Sequence, residues 1–524
     1  MPCLMQSNYI RLSTSIKPQF TCGSDWYSSR TMEVQSIKAS VGAGDVHVGT
    51  QPVELGIEAQ QIGLERVIRH KFDRRVLPLG IAVHILSTID RSNMSNAVVL
   101  GLREDTDLSG KRFNVVLALF FVTYIVFEIP ANLMCQKFGP RLWLSFITFG
   151  FGAATVGTSF THNYPGVLGC RLLLGMFEAG VQPGLLYTYS QFYRRHEMAS
   201  RWGIKAVGGS VAGAFGGLLG SALGNVPKTG MFERWRWIFL VEGLMTIIVS
   251  GLVYWYMPAS AAEASFLTHA EKEVAIRRID QENKMMVGGK DLGAWSLSVM
   301  KRALWNANTQ LVSLAIMMTL LSMTALSLFM PSLLKSMGYT STQAQLLTVP
   351  PYTVAACICI AACFASDRFQ TRGMVLLLLS PLMMAGFLML ALASSTAVRY
   401  FAFFLTTSAT FSCSPILLAW VMSNSAGPSV RVIVGAYVVG EGNIGSIIAT
   451  WTYLATDAPR YVKGHLVNFG GSCILFLTIG VTTLYLRREN RARDEGQRDD
   501  RLADATEDEK WTLGHSHPEY RFTV

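Results

Sequence analysis

Four ionisable residues, Asp90, Arg91, Arg171 and Glu178, stand inside stretches that are otherwise apolar. A charge at mid-bilayer costs roughly 2.5–3.5 kcal/mol on insertion scales, so residues of this kind mark places that act on ions, protons or one another. Arginine presents a planar fork of N–H donors that pairs bidentately with a carboxylate, which suits Arg91 and Arg171 to holding an anion. Glu178 follows Arg171 by seven residues, two helical turns or about 10 Å along one face. Burial favours its neutral form and a neighbouring arginine its charged form, so an anion that occupies the arginine helps Glu178 take up a proton. The competing reading is structural: Asp90 and Arg91 neutralise other charges, and Glu178 is a permanently paired carboxylate.

His84 falls seven residues before Arg91 on the same face and is a candidate proton relay, although a histidine in a span more often hydrogen-bonds within the bundle. Glu441, also in an apolar stretch, is a second proton-coupling candidate. Tyr187, Tyr189, Asn308, Gln310, Trp420 and Asn424 are polar or aromatic candidates for lining a binding cavity. Glu128 and Glu242, near span ends, read as packing or gating residues.

The elements that must position these residues are membrane helices. The chain is 50% hydrophobic and 15% charged, against about 25% charged in soluble domains. Its mean hydropathy is +0.33. That balance excludes an ordinary globular enzyme. The net charge of +10 comes from Lys and Arg clustered at span ends, so it reports topology and not a nucleic-acid partner. Cys135, Cys170, Cys357, Cys359, Cys363, Cys413 and Cys473 lie in apolar segments and read as small hydrophobes, with no disulfide or metal site expected. No metal-ligand spacing or nucleophile motif is present, and the glycines of 203–224 lack the Lys-Ser/Thr ending of a phosphate loop. Neither an enzyme nor a cofactor is expected.

Apolar stretches near 75–97, 113–136, 142–161, 165–192, 200–223 and 235–257, and again near 308–334, 342–365, 373–394, 400–423, 432–455 and 467–486, approach the roughly 20 residues that span a bilayer. The expected fold is an all-α integral membrane protein with twelve transmembrane helices in two pseudo-symmetric six-helix bundles, 66–257 and 308–487. Residues 258–307 carry alternating charges at helical spacing and read as a cytoplasmic linker. Residues 1–65, without the apolar run of a signal peptide, and the charged 488–524 read as disordered cytoplasmic tails. Arg66, Arg69, Lys71, Arg74 and Arg75 precede the first span, Lys137 and Arg141 follow the second, and Arg194, Arg195 and Arg201 follow the fourth. The excess of positive charge on one side puts both termini in the cytoplasm.

An internal repeat supports the two halves. Gln136-Lys-Phe-Gly-Pro-Arg141 and Asp367-Arg-Phe-Gln-Thr-Arg372 sit 231 residues apart, and the same offset maps the fifth span onto the eleventh. Both of those are rich in small residues: Gly209, Gly213 and Gly217 in one, Ala436, Gly440 and Ser446 in the other. Small residues let backbones approach where two bundles rock, and repeated halves around a midplane site imply alternating access.

The turn at Asp367, Arg368 and Arg372 resembles the cytoplasmic signature of the major facilitator superfamily, with Cys363 in place of its glycine and Gln136 in place of the first-copy aspartate. More specific strings are D-R-S-N at Asp90 to Asn93, F-E-I-P-A-N at Phe127 to Asn132, and R-L-L-L-G-M-F-E-A-G from Arg171 to Gly180 with Pro183-Gly184. W-R-W-I-F-L-V-E-G at Trp235 to Gly243, V-P-P-Y at Val349 to Tyr352 and D-A-P-R-Y at Asp457 to Tyr461 complete the set. Together they resemble the fungal anion:cation symporter family, the group of allantoate and nicotinate permeases, over about 66–487. The chain departs from that pattern at Ser429-Val430-Arg431, where T-K-R is usual, and at Glu441, where a neutral residue is common.

The resemblance implies a secondary active transporter moving a small organic anion, usually a carboxylate, by alternating access with protons. In that architecture the first and fourth helices line the cavity, so Arg91 and Arg171 can both point at one substrate carboxylate. Asp90, Asp367, Arg368 and Arg372 would serve gating. Vesicular glutamate transporters and sialin carry a similar Arg-x-x-x-Gly-x-x-Glu run. The expected protein is a functional monomer in the plasma membrane whose partners are the anion, protons and lipid. The alternatives are an exporter of an acidic metabolite and a nutrient sensor without flux.

Overall fold

The computed structural model describes residues 51–226, 233–286, 301, 303–425, 428–500 and 517–524, and every described element is helical. Residues 1–50 of the expected N-terminal tail lie outside the described residues, but the first helix, α1, already begins at Gln51 and runs to Val99. Its extra turns hold Glu54, Glu58, Ala59, Gln60 and Gln61, good helix formers that are too polar to read as a span.

The first half continues with the short α2 (Leu102–Asp105), α3 (Arg112–Phe138), α4 (Pro140–Ser159), α5 (Tyr164–Glu178), α6 (Val181–Ser190), α7 (Arg195–Gly224) and α8 (Arg234–Tyr256). A linker helix, α9 (His269–Met286), leads to the second half: α10 (Ala307–Ser336), the short α11 (Ser341–Leu346), α12 (Val349–Phe369), α13 (Arg372–Leu392), α14 (Thr396–Ser423), α15 (Pro428–Ala449) and α16 (Val462–Asp494). Among the described residues, nine helices are long and apolar enough to cross a membrane. The other three expected spans fall on the partly charged α1, on the α5–α6 pair and on α15, whose apolar part is Ile433–Ala449. Large apolar side chains face outward, among them Phe364 and Leu378, each 71% exposed. Such a surface belongs in lipid.

Two expected spans are broken, and proline explains both. The fourth divides after Glu178 because Pro183 has no N–H to give the Ala179 carbonyl and its ring crowds that carbonyl. The eighth divides before Val349-Pro350-Pro351, prolines that are tolerated where a helix begins.

Packing repeats between the halves. α4 lies against α5 and α8, and α3 against α5, just as α13 lies against α14 and α16, and α12 against α14. The halves meet through α7 on α12 and α3 on α15. The small residues sit at those contacts: a Cβ on Gly213 would lie 2.8 Å from the Tyr352 ring, and one on Gly217 2.3 Å from Thr348 Oγ1.

At the end away from the linker the halves are tied together. Lys335 Nζ and Ser341 Oγ each donate to the Val99 carbonyl at 2.9 Å, Gln345 Nε2 donates to Asn96 O at 3.1 Å, and Asn114 donates to the Thr450 carbonyl. At the linker end, ion pairs hold α9 to the first half. Lys71 pairs with Glu271 at 2.7 Å, and Arg278 donates to Phe192 O at 2.6 Å and reaches Glu197 at 3.4 Å. Burial pushes the Glu271 carboxyl up, but the Lys71 ammonium and the Thr268 amide and hydroxyl outweigh it and hold it below the ordinary carboxylate value.

The C-terminal region also differs from a disordered tail. α16 continues to Asp494, and residues 517–524 lie against its end and that of α14. Phe522 is buried, its N–H donates to Asn490 Oδ1 at 2.9 Å, and Arg493 Nη1 donates to Tyr520 O at 2.6 Å. Charge content hid the aromatic pair Tyr520 and Phe522 that anchors this segment. Residues 501–516 lie outside the described residues.

Candidate substrate and proton site

α1 carries His84, Asp90, Arg91 and Asn93 through the first half, opposite Arg171 and Glu178 on α5. Arg91 Nε donates to Glu178 Oε2 at 2.8 Å, and its guanidinium sits 4.9 Å from the Tyr124 ring centre and 5.7 Å from that of Phe120. Glu178 is 0% exposed and its second oxygen, Oε1, has no hydrogen-bond partner. Arg171 is 3% exposed, and its Nε and Nη2 have no partner either. Its guanidinium lies 5.8 Å from the Phe239 ring centre, within electrostatic reach of Asp90 and Glu178. Asp90 accepts from Thr155 Oγ1 through one oxygen and leaves the other unpartnered. Asn93 donates to Glu242.

The site thus joins one closed ion pair, Arg91–Glu178, to one guanidinium whose Nε–Nη2 edge is unused. A buried charged donor left unmade costs more than the 1–3 kcal/mol of a neutral one, so that edge is a place for an oxyanion.

Two residues of this cluster escaped sequence reading. Lys205 on α7 is buried and donates to Gln182 Oε1, and Gln182 Nε2 lies 3.3 Å from His84 Nδ1. The ammonium fixes the amide so that its nitrogen faces the histidine, which therefore accepts at Nδ1 and carries its proton on Nε2. His84, Gln182 and Lys205 form a polar chain beside the Arg91–Glu178 pair.

The sequence model of the Major Facilitator Superfamily matches residues 81–450. The chain belongs to that superfamily. The MFS-type transporter efuF of Hormonema carpetanum is 31% identical, with 82% of this chain and 87% of that protein covered. The MFS-type transporter cnsO of Penicillium expansum is 30% identical over 87% of this chain and 90% of its own length. Among solved structures, the proton:xylose symporter XylE bound to 6-bromo-6-deoxy-D-glucose superposes with a TM-score of 0.62 at 14% identity, covering 79% of this chain and 95% of that one. As a major facilitator the protein is an integral membrane secondary transporter and not an enzyme.

Of the other residues singled out in the sequence, Glu128 is within electrostatic reach of Arg91, and the rest lie apart from this cluster. Glu441 accepts from Ser313 of α10, and Tyr437 donates to Gln310 Oε1 at 3.0 Å. Asn308 is buried with both side-chain polar atoms unpartnered. Tyr187 is half-buried near Cys135, and Tyr189 packs on α1, where a Cβ on Gly80 would lie 2.2 Å from its hydroxyl. Glu128 is buried at the α3–α15 contact, its Oε2 3.9 Å from where a Gly440 Cβ would sit. In the signature turn Arg372 lies 3.8 Å from Asp367 and donates to the Ala419 carbonyl, while Arg368 is exposed.

Trp420 and Asn424 require a correction. Their polar atoms are taken by the C-terminal segment: Trp420 Nε1 and Asn424 Nδ2 donate to Thr523 O at 2.8 and 3.0 Å, and Thr523 N donates to Asn424 Oδ1 at 2.8 Å. In this structure those groups hold the chain's own backbone and do not line an open cavity.

Proposed function

We propose that this transporter moves a small organic anion, a carboxylate, together with protons, as in the fungal anion:cation symporters. The observation that carries the reading is the buried Arg171 guanidinium with its Nε–Nη2 edge unpartnered beside the Arg91–Glu178 pair. A carboxylate bound to that edge competes with Glu178 for Arg91. Once released, a carboxyl group in a dry site is held more cheaply as the neutral acid, so substrate binding draws in a proton. Return of the proton to the other side lets Glu178 close on Arg91 again and expels the anion. His84 and Glu441 are the further candidates for the proton's path, Asp90 for gating, and Tyr187 and Asn308 for substrate contact. The linker end then faces the cytoplasm, in a plasma-membrane protein that works as a monomer.

The test is uptake of a panel of labelled mono- and dicarboxylates by cells lacking the protein and complemented with it, followed by binding to purified Arg171→Lys. Lysine keeps the charge and loses the fork, so affinity for the transported acid should fall by about tenfold or more, the worth of one charge-assisted hydrogen bond. Unchanged affinity in Arg171→Lys, or transport confined to neutral solutes, would overturn the reading.

A further inference from the structure

At the end away from the linker, the second half gathers donors that the transport site does not use. Arg399, in the first turn of α14, is 8% exposed, and its Nε and Nη2 are buried with no hydrogen-bond partner. Side chains on a helix lean back toward its N-terminus, which carries that guanidinium toward the start of α14. His465, in the first turn of α16, is fully buried and within electrostatic reach of Arg399.

The histidine's tautomer follows from its neighbours. Asn468 Nδ2 donates to the Tyr453 hydroxyl oxygen at 3.5 Å, which directs the phenol proton to His465 Nδ1 at 3.0 Å. The ring proton is then on Nε2, and Nε2 has no partner. Arg460, in the loop before α16, is within electrostatic reach of Arg399, and its Nη2 lies 3.4 Å from Ala393 O in the turn between α13 and α14. The nearest acid in the sequence, Asp457, is engaged by Lys463 at 3.2 Å.

Arg399 and Arg460 therefore lie together at the start of α14, where Arg460 reaches the Ala393 carbonyl just ahead of that helix, and His465, within electrostatic reach of Arg399, adds a buried N–H without a hydrogen-bond partner. Leaving such donors unmade is costly, and the paired N–H groups of an arginine edge match two oxygens of one group. Helix starts at a span's end also lie at the depth of lipid headgroups. We propose that Arg399, His465 and Arg460 form an anion site, separate from the transport cavity, that binds a phosphate group. Its source is either inorganic phosphate or the headgroup of an acidic phospholipid.

The full chain in neutral detergent is titrated with sodium phosphate, against sodium chloride at equal ionic strength, and thermal unfolding is followed. A second arm uses nanodiscs of phosphatidylcholine with and without phosphatidylglycerol. The wild type should be stabilised by phosphate, by phosphatidylglycerol, or by both. A response to phosphatidylglycerol alone makes the ligand a lipid, and one to phosphate alone makes it the free ion. Arg399→Gln should weaken the responding ligand by about tenfold or more. Arg460→Gln, an exposed position that leaves packing intact, should weaken it in the same direction and decides the matter if Arg399→Gln does not fold. No response of the wild type to either ligand, or a wild-type response in Arg460→Gln and in any folded Arg399→Gln, overturns the site.

Discussion

Arg91 and Arg171 differ in what holds them, and that difference divides their labour. The first is neutralised by Glu178 at 2.8 Å, and the second keeps an Nε–Nη2 edge without a partner. Glu178→Gln copies the protonated acid, so the variant should still bind and exchange substrate across the membrane, while accumulation driven by a pH gradient vanishes. Proteoliposomes separate the two, because counterflow reads exchange and an imposed gradient reads accumulation. Retained accumulation in Glu178→Gln would move the proton to His84 or Glu441. The sequence made Arg91, Arg171 and Glu178 visible because a charge in an apolar run is costly. Lys205 stayed hidden because it stands four residues after Arg201, where basic residues read as topology, and Gln182 because it carries no charge. Trp420 and Asn424 were misread for another reason: pairing with Thr523, about a hundred residues away, leaves no local trace.

At the scale of elements, the spacing in Arg171-Leu-Leu-Leu-Gly175-Met-Phe-Glu178 acquires a physical reason. A Cβ on Gly175 would lie 2.2 Å from Thr123 Oγ1 and 2.5 Å from the Phe120 carbonyl, so α5 and α3 touch backbone to backbone between the two charged residues. Gly175→Ala should force the helices apart at a cost of about 1–3 kcal/mol, the usual range for overpacking. The expected outcome is a lower midpoint of thermal unfolding together with weaker substrate binding, since α3 also carries Tyr124 against Arg91. Normal binding in a destabilised Gly175→Ala would show that the contact serves stability alone. Hydropathy marked where most spans lie, and the repeat at 231 residues marked the halves. The break after Glu178 was less legible, because a single proline in an apolar run kinks some helices and divides others.

For the molecule as a whole, the hydrogen bonds from Lys335, Ser341 and Gln345 to the end of α1 close the side away from the linker. Alternating access requires those contacts to part in each cycle. A disulfide between Val99→Cys and Ser341→Cys should therefore stop transport when oxidised and release it on reduction, with either single variant as the control. Full activity in protein shown by peptide mapping to be cross-linked would rule out that motion. Orientation is tested separately: an epitope tag within 258–307 should be reached by antibody only after permeabilisation, and labelling of intact cells would reverse the assignment.

The segment 517–524 has a practical consequence. Its hydrogen bonds run to α14 at Ser423 and Asn424 and to α16 at Asn490 and Arg493, all within the second half. It is bolted to that half as a pointer is bolted to a dial. A fluorophore on the exposed Glu519, introduced as Glu519→Cys, should tumble slowly with the whole particle and not with the fast wobble of a loose terminus. Its energy transfer to a second dye on α9 would then register each swing of one half past the other, turning a short docked segment into the needle that reports it.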